Sequence, residues 1–326
     1  MRILLFADGA WAARTLVDLL ESGHTVVAVV LRIQPSGSEL EDVATKYGIP
    51  ILRPVKVNDP EFVSQVQKLC PELGISIAYN QIFRRGAYDF LPAGLINFHA
   101  GRLPFYRGRN VVNWAILNGE KEIGLTSHFV DDGIDTGEII LQKTFPIGWT
   151  DGYGDVLCRI VSAFPAFVCE TIELIEAGKV ETKPQAAGDG TYFPGRGPDD
   201  EWLDWNDTSF NLHNKVRAIT RPGPGAKTLL DDIEVRIWRA YYDPSWKNYI
   251  ASPGVVVGRA PSGVSVKTHD SVLLIEEIQL PGRPPERPSW RLGTRLGFNL
   301  PWLYNVLSTR FREIEGLLCS GNRKRL

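Results

Sequence analysis

The chain has 326 residues, of which 44% are hydrophobic and 23% are charged, and its formal net charge is −2. This composition is typical of a globular protein, and the length leaves room for two domains. The near-neutral charge excludes a molecule-wide basic field of the kind that attracts nucleic acid, so an RNA partner would need a local basic patch.

The cysteines and the amino terminus argue against a metal site and against export. Cys70, Cys158, Cys169 and Cys319 are scattered without a Cys-x-x-Cys pair, which predicts reduced thiols rather than a zinc site. The first apolar run is broken at Asp8, too early for a signal peptide, and no run of about 18 apolar residues could span a membrane. We expect a cytoplasmic protein that binds no metal and has no transmembrane segment.

The first part of the chain alternates buried strands with helices. Apolar runs predict strands at 2–7, 25–31, 50–53 and 74–78, and helical spacing predicts helices at 10–20, 39–47 and 60–69. This order predicts an α/β fold with a Rossmann-like doubly wound sheet, whose ligands bind beyond the carboxyl ends of the strands. No Gly-x-Gly-x-x-Gly follows the first strand, so a dinucleotide site is not indicated.

The central stretch 95–142 carries the residues that suggest chemistry. A short apolar strand presents Asn97 and His99 to the same side, because side chains two residues apart on a strand point the same way. A loop with three arginines follows at 101–109, and a carboxylate-rich loop at 131–137 joins two β-rich runs and contains Asp135. An amide, an imidazole and a carboxylate are suitable groups for acyl transfer to an amine.

Several short motifs in this stretch occur together in one known family. Asn97-x-His99, Leu103-Pro104, Arg107-Gly108 and the run 133–137 (Gly-Ile-Asp-Thr-Gly) resemble the 10-formyltetrahydrofolate-dependent formyltransferases. That family includes enzymes that act on methionyl-tRNA, on glycinamide ribonucleotide and on nucleotide sugars. The resemblance extends over roughly residues 1–282 and implies 10-formyltetrahydrofolate as co-substrate and a possible homodimer.

The second part of the chain is predicted to form a separate small domain. We expect a catalytic domain at 1–184, a Gly/Pro-rich linker at 185–204, and an OB-like β-barrel at 205–282 built from one helix and several short strands. A basic tail follows at 283–326 and carries a helical apolar stripe of Leu303, Val306, Leu307, Phe311, Ile314 and Leu318. This stripe could pack on the barrel, form a dimer contact or touch an acidic membrane surface.

The resemblance assigns catalytic roles to three residues. When a neutral amine attacks the formyl carbon, Asn97 would donate a hydrogen bond to the developing oxyanion. His99 would accept the amine proton or, when protonated, add a second donor, and Asp135 would hold the imidazole tautomer and relay protons through water. His128 is predicted to have a structural role.

The resemblance and the loop composition also suggest binding residues. The folate would contact Gln81, Ile82 and Phe83 after one strand, and Asp132, Gly133 and Ile134 in the carboxylate loop; alternatively, Ile82 and Phe83 only cap the core. Arginines and aromatic side chains of the central loop suit a diphosphate, although they could also be ordinary surface residues. The predicted acceptor contacts are Arg102, Tyr106, Arg107, Arg109, Asn110, Trp114, Tyr192 and Arg196.

Two acceptors remain open from the sequence. The run from Tyr106 to Asn110 with Trp114 resembles the sugar branch, which favours a nucleotide-linked amino sugar used for surface polysaccharide or lipid A. The tRNA branch usually has Gly-Ala-Ala-Pro after its arginine. The alternative is methionyl-tRNA, supported by the carboxyl-terminal barrel and its Pro-Gly-Ala turn at 224–226. A formate-releasing hydrolase or a folate-binding module without activity is less well supported.

Overall fold

The computed structural model describes residues 1–34, 37–186, 188–297 and 307–312. The chain divides into two compact units, Met1–Pro198 and Asp199–Leu326. This division lies inside the segment 185–204 that the sequence predicts to be a linker. Among the described residues, no helix has the length and apolar character needed to cross a membrane.

The first unit is built on a seven-stranded sheet with the order β3-β2-β1-β4-β5-β7-β8. Its strands run parallel through β5, whereas β7 and β8 are antiparallel to their neighbours. A separate two-stranded ribbon pairs β6 with β9. The strands are β1 (Arg2–Ala7), β2 (Thr25–Val30), β3 (Ile51–Leu52), β4 (Leu73–Ile77), β5 (Leu95–His99), β6 (Arg107–Gly108), β7 (Glu122–Phe129), β8 (Ile139–Pro146) and β9 (Tyr192–Phe193).

Helices pack around this sheet, which explains why β1 and β4 are almost continuously apolar. The helix α3 begins after the N-cap residue Asp59, whose side chain accepts a hydrogen bond from the backbone N–H of Glu61. The rings of Phe164 and Phe167 on α5 lie 6.0 and 6.1 Å from the ring of Phe98 on β5. The helices are α1 (Gly9–Glu21), α2 (Glu39–Lys46), α3 (Pro60–Gln67), α4 (Val111–Leu117) and α5 (Tyr153–Glu176).

The predicted linker begins with a segment that packs on the central loop of the first unit. Tyr192 pairs in register with Arg107, and Phe193 with Gly108, in a parallel ribbon. The Phe193 ring also stacks on the Tyr106 ring at a centroid distance of 4.9 Å. Residues around 191–193 are therefore part of the first unit, although the Gly/Pro-rich composition predicts a linker at 185–204.

The second unit is a five-stranded antiparallel sheet with the order β10-β11-β14-β13-β12. The helix α6 (Ser209–Ile219) starts at Thr208, whose side chain accepts from the Asn211 backbone N–H. Isolated bridges connect Leu296 to Leu230 on the edge strand β10, and Arg295 to Val255, the residue before the other edge strand β12. The strands are β10 (Ala226–Leu230), β11 (Ile233–Tyr241), β12 (Val256–Ala260), β13 (Gly263–Lys267) and β14 (Val272–Gln279).

The sheet agrees with the predicted small β domain, while the OB-like class stays a prediction. Within the basic tail, residues 307–312 are helical. Leu303, Val306, Ile314 and Leu318 of the predicted apolar stripe lie outside the described residues, so the three alternatives for the tail stay open, as does the predicted homodimer.

Candidate active site

A cavity of about 1090 Å³ opens at the carboxyl ends of β1, β4 and β5. This is the edge where open α/β sheets bind ligands. Its walls include eleven of the predicted site residues: Gln81, Ile82, Phe83, Asn97, His99, Arg109, Asn110, Gly133, Ile134, Asp135 and Tyr192. The other six do not line it: Arg102, Tyr106, Arg107, Trp114, Asp132 and Arg196.

The three predicted catalytic residues meet around the carboxylate of Asp135. The Asn97 amide nitrogen lies 3.2 Å from Asp135 Oδ1, and His99 Nδ1 lies 3.7 Å from Asp135 Oδ2. The backbone N–H of Gly108 donates to Asp135 Oδ2 at 2.8 Å. Strand β5, the central loop and the carboxylate loop thus converge on one buried carboxylate.

The hydrogen bonds assign the protonation of His99. Its Nε2 lies 2.6 Å from the Tyr106 carbonyl oxygen, which can only accept, so Nε2 carries a hydrogen. The nitrogen left to accept a proton is Nδ1, which faces Asp135. A proton taken up at Nδ1 therefore lies beside a carboxylate that stabilises the resulting imidazolium.

His128 belongs to the same cluster, while its predicted structural role stays a prediction. Its Nδ1 lies 2.8 Å from the Phe129 carbonyl oxygen, so this nitrogen donates and Nε2 is left as an acceptor. The Asn97 amide nitrogen lies 3.2 Å from His128 Nε2. One amide group therefore faces both an imidazole and a carboxylate, and its oxyanion role requires that one of its N–H groups turn toward the substrate.

The charge of Asp135 follows from its surroundings. Burial acts to raise the pKa of Asp135, but the positive charges that His99 and His128 carry when protonated, the hydrogen bond that protonated His128 donates, and the Gly108 N–H together lower this pKa below its usual range. The carboxylate is therefore ionised at neutral pH. It can accept hydrogen bonds and stabilise positive charge, but it cannot supply a proton.

Arg107 supports this cluster instead of lining the cavity. Its guanidinium is buried and donates to the Asp135 carbonyl oxygen, to Gln185 Oε1 and to the Asp189 carbonyl oxygen. The Gln185 amide nitrogen in turn donates to the carbonyl oxygens of Asp135 and Gly137, at 3.0 and 2.7 Å. Each guanidinium nitrogen of Arg107 already has a partner inside the protein and Arg107 does not line the cavity, so this placement does not support its predicted anion-binding role.

Arg102 and Tyr106 face a different part of the surface. Arg102 pairs with Glu122, and the Tyr106 hydroxyl donates to Glu120 at 2.7 Å. Both residues border a crevice of about 90 Å³ that is separate from the large cavity. Their predicted contact with the acceptor is not supported by this placement, and Arg109 is the remaining arginine of the central loop on the cavity wall.

The other aromatic residues hold the segment 191–196 in place. The Trp114 indole N–H donates to the Pro194 carbonyl oxygen at 3.0 Å, and its ring lies 5.5 Å from the Phe193 ring. Asn110 Oδ1 accepts from the Arg196 backbone N–H at 3.0 Å. Trp114 and Arg196 therefore contribute to the wall indirectly, whereas the exposed ring of Tyr192 lines the cavity itself.

The predicted folate residues divide into exposed and occupied groups. Ile82 is 58% exposed and Ile134 is 48% exposed, so both offer apolar surface inside the cavity. Gln81 Oε1 already accepts from the Val57 backbone N–H, and Phe83 packs 4.9 Å from Phe6 in the core. Asp132 pairs with Arg85 off the cavity wall, so its predicted ligand contact is not supported.

The carboxylate loop is shaped by its own polar groups. Asp131 Oδ1 accepts from the Gly133 backbone N–H and from the Thr136 hydroxyl, at 3.0 and 2.6 Å.

Across residues 1–34, 37–186, 188–297 and 307–312, no group of three or more His, Cys, Asp or Glu side chains is arranged to hold a metal ion.

Sequence reasoning missed two residues of the site. His128 is the cross-strand partner of Asn97 in the β5–β7 register, and a sequence signal existed, because His128 lies just before the carboxylate loop. Gln185 lies 50 residues from Asp135 in a Gly/Pro-rich segment, and no local pattern marks it as part of the site.

Comparisons with known proteins agree with this geometry. The family described as "Formyl transferase" matches residues 1–172, and the family "Formyl transferase, C-terminal domain" matches residues 197–290. The methionyl-tRNA formyltransferase of Desulforamulus reducens is 35% identical over 292 residues, which cover 86% of this chain and 91% of the relative. That of Symbiobacterium thermophilum is 34% identical over 292 residues, 87% of this chain and 89% of the relative.

Solved structures share the fold at lower identity. The sugar 3N-formyl transferase WlaRD, crystallised with dTDP and 5-N-formyl-THF, aligns with a TM-score of 0.66 and 21% identity over 87% of this chain and 99% of that chain. The N-formyltransferase of Helicobacter canadensis, in complex with folinic acid and dTDP-3-aminofucose, aligns with a TM-score of 0.64 and 20% identity over 86% and 99%. The two family matches and the relatives above 30% identity lead to one conclusion: this chain belongs to the formyl transferase family.

Proposed function

We propose that the chain transfers a formyl group from 10-formyltetrahydrofolate to the α-amine of methionyl-tRNA. The observation that carries this acceptor is the identity of 35% to a methionyl-tRNA formyltransferase, extending over 86% of the chain. This reverses the order in which the sequence motifs ranked the two acceptors. Similarity that spans both domains weighs more than one loop motif, since Arg107, Tyr106 and Trp114 of that motif lie off the cavity wall.

The cavity offers a suitable site for the folate. Ile82 and Ile134 present exposed apolar side chains on its wall, as expected for residues that pack against the planar ring of the folate. The volume of about 1090 Å³ slightly exceeds the usual range for one small ligand and leaves space for an acceptor end beside the folate. The bound folate would supply the formyl carbon that the amine attacks. The bond between this carbon and N10 of the folate would then break, and tetrahydrofolate would leave after N10 takes up the proton that the amine loses.

The residues around Asp135 would stabilise the oxyanion and accept the proton of the amine. One N–H of Asn97 would turn from Asp135 to the oxyanion, and a single donor of this kind contributes about 3–4 kcal/mol to transition-state stability. His99 Nδ1 would take the amine proton, directly or through water, next to the ionised Asp135. His128 Nε2 would keep the Asn97 amide oriented through their 3.2 Å contact.

A nucleotide-linked amino sugar is the second candidate acceptor, favoured by charge. Residues 1–198 contain 18 Lys and Arg against 23 Asp and Glu, so the catalytic unit is acidic and would repel a polyanion such as tRNA at long range. Arg109 on the cavity wall is enough for one diphosphate, and Tyr192 offers an exposed ring for a base.

The experiment compares the two acceptors in one assay. Purified protein and 10-formyltetrahydrofolate are incubated with methionyl-tRNA and with a panel of nucleotide-linked amino sugars, and formylated products are separated by mass. Formylation of methionyl-tRNA, with kcat/KM falling steeply as salt rises, is the expected result. Formylation of an amino sugar alone would replace the first acceptor with the second.

A matched pair of arginine variants completes the test. Arg109→Ala should raise the acceptor KM by roughly tenfold, because a charge-assisted hydrogen bond is worth about 1.5 kcal/mol or more. Arg102→Ala, from the same loop but outside the cavity, should leave it unchanged. Equal effects of both variants would contradict the placement of the acceptor in this cavity.

A further inference from the structure

Two buried donors on the cavity wall have no hydrogen-bond partner in the part of the chain that the structure describes. The Nε of Arg32 and the hydroxyl of Tyr79 are both shielded from solvent, and neither has a hydrogen-bond partner among the described residues. Both residues line the large cavity. Because buried polar groups in native proteins almost always find a partner, two such groups in one cavity indicate a ligand that supplies it.

The rest of each side chain is fixed. The Arg32 Nη1 lies 3.0 Å from Asp8 Oδ2, and Nη2 donates to the Ala78 carbonyl oxygen. The guanidinium is thus held between the residues that follow β1 and β4. The Tyr79 ring packs 5.7 Å from the Phe6 ring and 5.8 Å from the Phe83 ring. The unpartnered donors therefore cannot easily swing away to find solvent.

The charges around Arg32 and Tyr79 favour a neutral ligand group. Asp8 is only 3% exposed and balances the positive charge of Arg32. Burial raises the pKa of Tyr79 to about 12, despite the nearby positive charge of Arg32, so the hydroxyl remains protonated at neutral pH. A phosphate would gain little here, because its charge would meet a compensated ion pair, whereas a neutral oxygen can accept a hydrogen bond from either donor.

Arg32 and Tyr79 lie close to Asn97 and His99. Strand β4, which leads to Tyr79, is the direct neighbour of β5, which carries Asn97 and His99. Neighbouring strands are about 5 Å apart, so the donors lie within roughly one or two strand spacings of the reacting groups. The half-buried ring of Trp11 lines the same cavity and adds an aromatic surface.

We infer that Arg32 and Tyr79 form a subsite that binds a sugar hydroxyl of the formyl acceptor. Polar donors and an aromatic ring on the wall of one cavity suit a sugar, which has hydroxyl groups at its edge and C–H groups on its face. The inference rests on the proposed function, since it assigns the ligand to the acceptor. The hydroxyl belongs to the amino sugar in one case and to the terminal ribose of the tRNA in the other.

The test measures binding and turnover separately. Tyr79→Phe removes only the hydroxyl, and Arg32→Lys keeps the charge next to Asp8 while removing the Nε donor. Tyr88→Phe is the matched control, because Tyr88 is a buried member of the same apolar cluster but does not line the cavity. Each protein is titrated calorimetrically with methionyl-tRNA and with a nucleotide-linked amino sugar, and the formyl-transfer kinetics are measured for both.

We expect Tyr79→Phe and Arg32→Lys to weaken binding of one acceptor by about three- to tenfold, the value of one neutral hydrogen bond. The KM for the formyl donor and the melting temperature of Tyr79→Phe should stay unchanged. Using the deoxy form of that acceptor should cost the wild type the same factor and cost Tyr79→Phe nothing further.

The outcomes separate the subsite from the proposed function. Weaker acceptor binding without any formylated product in the wild type would leave the subsite standing and overturn the function. Unchanged acceptor binding, or an increase confined to the KM of the folate, would overturn the subsite while the function stands. Absence of both binding and product would overturn both.

Discussion

Gln185 is the residue whose substitution tests the architecture of the site most sharply. It touches no substrate in our account, yet its side chain connects Arg107 to the backbone of Asp135 and Gly137. Asp135 has a φ of +54°, a left-handed conformation that is unfavourable for a residue other than glycine and therefore needs support from its surroundings. Gln185→Met keeps the length of the side chain and removes all of its hydrogen bonds.

The expected loss of stability follows from those bonds. Two bonds to backbone carbonyls contribute about 1 kcal/mol each, and the bonds from the charged Arg107 contribute about 1.5 kcal/mol or more. Arg107 keeps its bonds to the carbonyl oxygens of Asp135 and Asp189, so the loss stays near 3–4 kcal/mol. Without the bond from Gln185 to the Asp135 carbonyl, the Asp135 carboxylate would also move relative to Asn97 and His99. This shift should lower kcat by roughly 10- to 100-fold with little change in either KM.

The assay combines urea unfolding with steady-state kinetics at a temperature where the variant remains folded. Gln67→Met, the same change at an exposed position on α3, is the control and should change stability by less than about 0.5 kcal/mol. A Gln185→Met protein with wild-type kcat would refute the reasoning, because Asp135 would then hold its position without this support. A loss confined to stability would leave Gln185 as a structural residue only.

Two further predictions concern charges in the first unit. Because the folded-state pKa of Asp135 lies below its unfolded value, its ionised form stabilises the fold above about pH 4, and this contribution fades as the pH falls further. The difference in unfolding free energy between wild type and Asp135→Asn should therefore shrink on acidification below pH 4, and a difference that grew instead would contradict the sign. Arg102→Ala breaks only an exposed ion pair with Glu122 and should cost at most about 1 kcal/mol by thermal unfolding; a larger loss would show that this pair is more than a surface contact.

The fold of the first unit could be predicted well because its signals are local. The apolar run of β1 and the helical spacing of α1 each specify one element, and their alternation specifies the sheet class. The spacing of Asn97 and His99 likewise placed two side chains on one face of β5. Asp135 was assigned by family resemblance, and in the structure its carboxylate lies beside Asn97 and His99.

The binding residues were harder to predict because burial depends on distant partners. Arg107 and Arg109 are two residues apart and look equivalent in the sequence, yet Arg107 is buried by contacts with Gln185 and Asp189, about 80 residues away. No periodicity encodes such a contact. The position of Arg102 off the cavity wall was hard to predict for a related reason, since this side chain pairs with Glu122 at the start of β7.

We propose that formyl transfer takes place at the cluster around Asp135, with His99 as the proton acceptor. The most direct measurement is the single-turnover rate of formyl transfer to the preferred acceptor, for the wild type and for His99→Asn. We expect a rate at least 100-fold lower for His99→Asn across pH 6–8, with folate binding unchanged. A variant that transfers the formyl group at the wild-type rate would contradict it.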